Sequence, residues 1–197
     1  MVTLAAHPDF VLSNDPTDRF FALWQEGQCW GVIVDSDIAS DPSSPKLGDA
    51  LRALSATRIV VAHARPSVED GRPALAWTRA SVEGLHAACR RWLGAIDPGA
   101  TLLLWPRADQ IVSDIPSAWS LLRTLETERL GLVLDPDAMI TPSMREHRED
   151  HLRRLAEALG TQPRTAMVID RGSLPTDFAP HLPRFRQPGV SGDTYGT

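Results

Sequence analysis

Three features of the sequence predict an α/β fold with a mostly parallel sheet. The chain contains short, continuous apolar runs, it shows helical periodicity between them, and the two patterns alternate along most of its length. Each run is apolar throughout rather than at alternate positions, as expected of strands covered on both faces. Crossovers between successive strands are right-handed and align them in parallel.

The elements follow in order. Residues 2–6 are a weaker strand candidate. Asp15-Pro16 then opens a helix that ends at Gly27, with the cap residue first and proline at the first helical position. Residues 29–35 (CWGVIVD) form the next strand. Ser44-Pro45 repeats the capping device and leads into Leu47, Leu51 and Leu54, before a strand at 58–63 (RIVVAH). The helix over 78–96 carries Val82, Leu85, Cys89, Leu93 and Ile96 on one face. A strand at 101–105 (TLLLW) is followed by a helix capped by Asp114 and carrying Ile115, Leu122 and Leu125. After the strand at 130–135 (LGLVLD), Ser143 and Glu146 have the spacing of a capping box. That helix runs through Leu152, Leu155 and Leu159 to Gly160, and a strand at 165–170 (TAMVID) follows it. From Ser173 the chain is rich in proline and glycine and is expected to be irregular.

With no internal repeat and no low-complexity linker, residues 1–197 read as one domain. A doubly wound sheet and a (β/α) barrel both satisfy the pattern. A complete barrel needs eight strands and typically about 250 residues, whereas this sequence offers six strand candidates.

A hydrophobic fraction of 43% with 23% charged residues fits a globular chain and excludes general disorder. The net charge of −5 argues against nucleic acid or an anionic membrane as a partner, because both call for a basic face. The apolar start at 1–6 is too short for a secretory signal, and no run approaches the roughly 18 apolar residues of a membrane span. Cys29 and Cys89 lack metal or redox spacing, and Cys89 lies on a helix stripe where a buried free thiol is expected. A cytoplasmic location fits these features. Trp92 and Trp119 sit in helices and are expected at the core, while Trp105 closes a strand.

Binding chemistry in parallel α/β folds sits beyond the carboxyl ends of the strands. Those ends carry Asp35 and Asp37, His63, Trp105 with Arg107 and Asp109, Asp135 and Asp137, and Asp170. Carboxylates and imidazole are donors for Mg²⁺, Mn²⁺ or Zn²⁺. Aspartate after a strand also caps the next helix or makes a turn, and Asp135-Pro136 and Asp41-Pro42 are turn signals. His147 and His151 are four apart, but Arg148 and Asp150 stand where zinc-protease motifs need glutamate. No GxGxxG, GxxxxGK[ST] or GxSxG follows a strand, so no nucleotide cofactor and no hydrolase triad is expected.

From Cys29 to Gly172 the chain resembles the xylose isomerase-like barrel superfamily, whose members include sugar-phosphate isomerases, sugar epimerases and apurinic-site endonucleases. The matching stretches are LGDALRALSATRIVVAHARP (47–66), TLLLWPRADQIVSDIPSAWSLLRTLETERLGLVLDPDAM (101–139) and EDHLRRLAEALGTQPRTAMVIDRG (149–172). They are similar to the family's fourth to seventh strands, with GVIVD (31–35) as the third. The resemblance implies an incomplete (β/α) TIM-like barrel of about six parallel strands alternating with helices.

It also implies a divalent metal (Mn, Zn, Mg or Co) at the strand ends, polarising a substrate oxygen while a carboxylate moves a proton. His63 and Asp135 match the family's metal ligands, with Asp170 or Asp35 as a further ligand or base. Trp105 replaces the glutamate expected after the fifth strand, Ala138 replaces a histidine, and the seventh-strand histidine falls near Val168. GVSGDTY (189–195) is similar to the approach to the eighth strand, whose glutamate has no counterpart. The resemblance thus implies a divergent sugar isomerase or epimerase acting on a small carbohydrate. Retention of polar strand ends favours that reading, and loss of matched ligands favours the alternative, a catalytically inactive barrel remnant serving in binding or assembly. An open barrel would expose strand edges, which the tail or a second copy would have to cover.

Overall fold

The computed structural model describes residues 3–11, 19–39, 45–63 and 77–186. Eight strands close into a barrel in sequence order: β1 (Thr3–Val11), β2 (Arg19–Gln25), β3 (Gln28–Asp37), β4 (Arg58–His63), β5 (Thr101–Leu104), β6 (Leu130–Leu134), β7 (Thr165–Asp170) and β8 (Arg184–Arg186). The expected TIM-like α/β barrel of parallel strands is present. All neighbouring pairs are parallel except the two that β2 makes. Helices α1 (Pro45–Leu54), α2 (Arg79–Ala95), α3 (Ile115–Leu125), a short α4 (Pro136–Met139) and α5 (Arg148–Leu155) supply the crossovers from β3 to β7.

Among the described residues the helical ring is incomplete at two places. The helix expected from Asp15 to Gly27 is not formed; Asp15 and Pro16 lie outside the described residues, and residues 19–25 are β2, antiparallel to both β1 and β3. The cause is a tight hairpin. Glu26 and Gly27 both take positive φ (51° and 79°), and Gln25 pairs with Gln28 across them. Such a two-residue turn matches strand twist, and the second position suits a residue without a Cβ. Residues 171–183 run in turns, and β8 then emerges within the stretch expected to be irregular.

β8 pairs with β7 on one side and β1 on the other. The sheet therefore closes where the sequence pattern leaves it open. No strand edge among the described residues awaits a second copy. Residues 189–195 lie outside the described residues.

Strand alternation divides the core into two clusters. Leu23, Trp30, Ile33, Val60, Leu103, Trp105, Val133, Met167, Ile169 and Phe185 fill the barrel. Val34, Val61, Leu104, Leu134 and Val168 point outward and meet Leu85, Cys89 and Trp92 of α2, Leu121 and Leu122 of α3, and Leu152 and Leu155 of α5. Gly131 sits where β6 approaches the chain entering β7, and a Cβ there would collide with the Arg164 carbonyl oxygen.

Arginines secure the amino ends of several strands. Arg129 donates to the carbonyls of Ala100 (3.0 Å) and Asp97 (2.8 Å), and Arg164 to those of Thr127 (3.1 Å) and Leu122 (2.9 Å). A planar guanidinium with several fixed donors can bridge two such carbonyls at once.

Local signals had mixed outcomes. Asp114 caps α3 in a reciprocal capping box with Ser117, and Thr78 caps α2. The box expected from Ser143 and Glu146 is not formed. Pro142 sets the cap two residues earlier, at Thr141, and the turn begins as a 3-10 helix. Trp92 and Cys89 are buried as expected, whereas Trp119 is 40% exposed. No helix among the described residues is long and apolar enough to cross a membrane.

Candidate functional site at the carboxyl rim

Parallel β3 to β8 deliver their carboxyl ends to one rim of the barrel. His63 ends β4 with its Cα paired to Asp37 of β3, and Asp35 pairs with Arg19 of β2. Asp135 follows β6, and Asp170 ends β7.

Asp135 is fully buried. It continues the inward phase of Val133, so its carboxylate enters the barrel beside Trp105. Each oxygen accepts two hydrogen bonds. Oδ2 takes Trp105 Nε1 at 3.0 Å and Arg171 Nη2 at 2.8 Å. Oδ1 takes the Ala138 amide at 3.1 Å, which caps α4, and Arg171 Nε at 3.4 Å. A carboxylate offers about four lone-pair sites, and all are in use.

Asp170 faces the other way. Met167 and Ile169 belong to the inner cluster and Val168 to the outer one, which puts Asp170 on the helix-facing side of the wall. There Arg184 Nη1 meets Oδ2 at 3.0 Å, and the amides of Gly172 (2.8 Å) and Leu174 (3.4 Å) meet Oδ1. Burial pushes its carboxyl pKa up, but the two amides and the Arg184 guanidinium outweigh this and hold it below the usual carboxylate range. Arg184 also donates to the carbonyls of Pro175 and Phe178, so the pair fastens the turns that lead into β8.

A third cluster crosses the rim. Arg148 of α5 donates to Asp137 Oδ1 at 2.9 Å and Ser173 Oγ at 2.8 Å, while Ser173 Oγ donates to Asp137 Oδ2 at 2.6 Å. It ties the loops after β6 and β7 to α5. Arg171, Arg184, Arg148 and Ser173 were not singled out from the sequence. For Arg171 the signal was there: strand phase places 169 inward, 170 outward and 171 inward, on the strand next to Asp135.

The divalent metal implied by the resemblance finds no donor set among the described residues. No three His, Cys, Asp and Glu side chains converge there. Asp135 and Asp170 lie on opposite sides of the barrel wall, each with its oxygens already engaged. A separate cleft of about 1020 Å³ opens at the opposite rim, lined by Trp24, Cys29, Trp30 and Arg58, with the Arg58 guanidinium 4.8 Å from the Trp30 ring centroid. It contains none of the aspartates named from the sequence.

No family model and no curated protein matches the sequence. Among solved structures, the chain is similar to D-allulose 3-epimerase from Methylomonas sp. in complex with D-allulose. They share 17% identity at a TM-score of 0.54, over 78% of this chain and 61% of that one. It is also similar to 3-keto-D-glucoside 4-epimerase from E. coli in its apo form, with 12% identity and a TM-score of 0.51, over 75% of this chain and 63% of that one. The chain thus spans less than two thirds of the length of either epimerase. At such identity the likeness establishes the fold alone: this chain folds as an α/β barrel similar to those of these two epimerases.

Proposed function

We propose that this chain is a small-carbohydrate-binding module on a sugar-epimerase-like barrel, without metal-assisted proton transfer. The observation that carries the reading is the engagement of the two described candidate acids. A catalytic base must reach the substrate proton with a free lone pair. Asp170 is 4% exposed and spends its oxygens on Arg184 and two amides outside the barrel. Asp135 spends its oxygens on Trp105, Arg171 and Ala138 inside it. Carbohydrate as the ligand class rests on the fold shared with the two epimerases.

The competing reading is a divergent isomerase or epimerase that uses His63 as a metal ligand and Asp35 as base or ligand. It is favoured by the backbone pairing of Asp37 with His63, which brings two polar strand ends together. The two readings separate in one experiment. The purified chain is incubated with D-allulose or D-fructose, with and without added Mn²⁺, Co²⁺, Zn²⁺ or Mg²⁺. Epimerisation is followed by NMR, and sugar binding by calorimetry. Saturable binding without turnover is the expected result. Metal-stimulated epimerisation that disappears in His63→Ala/Asp135→Ala would establish the enzyme instead.

A further inference from the structure

We propose that Arg171 is a built-in cation that occupies the place of a divalent metal ion at Asp135, supplying this buried carboxylate with its countercharge without metal. The inference deepens the binding-module reading and is tested apart from it.

The argument starts from burial. A carboxylate removed from water must be protonated, paired or bound to a metal, because an isolated buried charge is costly. Asp135 has no exposed side-chain surface, whereas the Arg171 side chain keeps 38% of its own. The charge of Asp135 is therefore compensated at a fully buried position by a guanidinium whose side chain stays partly exposed. Arg171 approaches with Nη2 at 2.8 Å from one oxygen and Nε at 3.4 Å from the other, the fork geometry that a planar guanidinium shares with a carboxylate.

Strand order fixes this approach. β6 and β7 are parallel neighbours, with Leu134 paired to Val168. One residue past β6 and one past β7 are both inward positions, so Asp135 and Arg171 meet without a loop having to fold back. Trp105, one residue past β5, fills the third side and donates its indole N–H to the same carboxylate.

A metal ion would have to break the Arg171 hydrogen bonds to gain a lone pair, and would then sit beside a guanidinium of like charge. The indole on the remaining side is a donor only and cannot ligate a cation.

The test uses the full chain after chelation. Mn²⁺ is titrated by calorimetry and by loss of the free-ion EPR signal, and unfolding is compared in EDTA and in Mn²⁺. Arg171→Met, Asp135→Asn and the double variant are then unfolded with denaturant. Wild type is expected to bind no stoichiometric Mn²⁺ and to unfold identically with and without it. Arg171→Met is expected to lower the folding constant about tenfold more in the Asp135 background than in the Asp135→Asn background, since a buried charge is left unpaired only in the first. Stoichiometric Mn²⁺ that disappears in Asp135→Asn, or additive effects of the two substitutions, would overturn the proposal. If Arg171→Met does not fold, the wild-type metal titration decides alone. Failure to bind sugar would sink the binding-module reading and leave this proposal standing.

Discussion

Trp105 Nε1 donates to Asp135 Oδ2 across 3.0 Å, joining the end of β5 to the end of β6 inside the barrel. Trp105→Phe keeps an aromatic ring but removes the donor from a buried carboxylate. A loss of about 1–3 kcal/mol in unfolding free energy is expected, with an unchanged denaturant slope. Urea titration followed by circular dichroism measures it. An unchanged midpoint would mean that the bond adds nothing to stability.

The buried Asp170–Arg184 pair is expected to make the fold acid-sensitive. The folded-state pKa of Asp170 is lowered. Its contribution is therefore fully present above the unfolded carboxylate pKa and is lost as pH falls through the folded value. Asp170→Asn should be less stable than wild type at neutral pH, and the gap should close below the usual carboxylate range. Unfolding midpoints at a series of pH values test this, and a gap that persists at low pH would contradict it.

Cys89 should be chemically silent in the native state. Burial pushes its thiol pKa up to about 12, so thiolate is scarce near neutral pH. In the Cys29→Ser variant, a disulfide reagent at pH 8 should label no thiol until denaturant is added. Rapid native labelling would show that α2 opens from the barrel.

Gly131→Ala should be strongly destabilising. The added Cβ would collide with the Arg164 carbonyl oxygen and meet Leu103 Cδ2 at 2.8 Å, and the first of these is backbone that cannot rotate away. A cost of about 1–3 kcal/mol or more is expected from forced overpacking. Thermal unfolding of the variant checks it. By contrast, Gly84→Ala on α2, where nothing lies within 4 Å, should be neutral or stabilising.

What the sequence determined by itself was local. Five apolar runs became β3 to β7, and the cap at Asp114 formed, because each depends on residues a few positions apart. The tertiary structure decided the rest. FFALW carries a helix-like start and end, yet it pairs as β2 because strands on both sides and a positive-φ turn outweigh its local preference. Three residues at 184–186 are too short to announce a strand, and they become one only because β7 and β1 both offer unpaired backbone. The same holds for the rim. The sequence placed Asp135 and Asp170 at strand ends, but strand phase turned one inward and the other outward. Their arginine partners, 36 and 14 positions away, were chosen by barrel closure, which brings distant charges within reach where burial obliges them to pair.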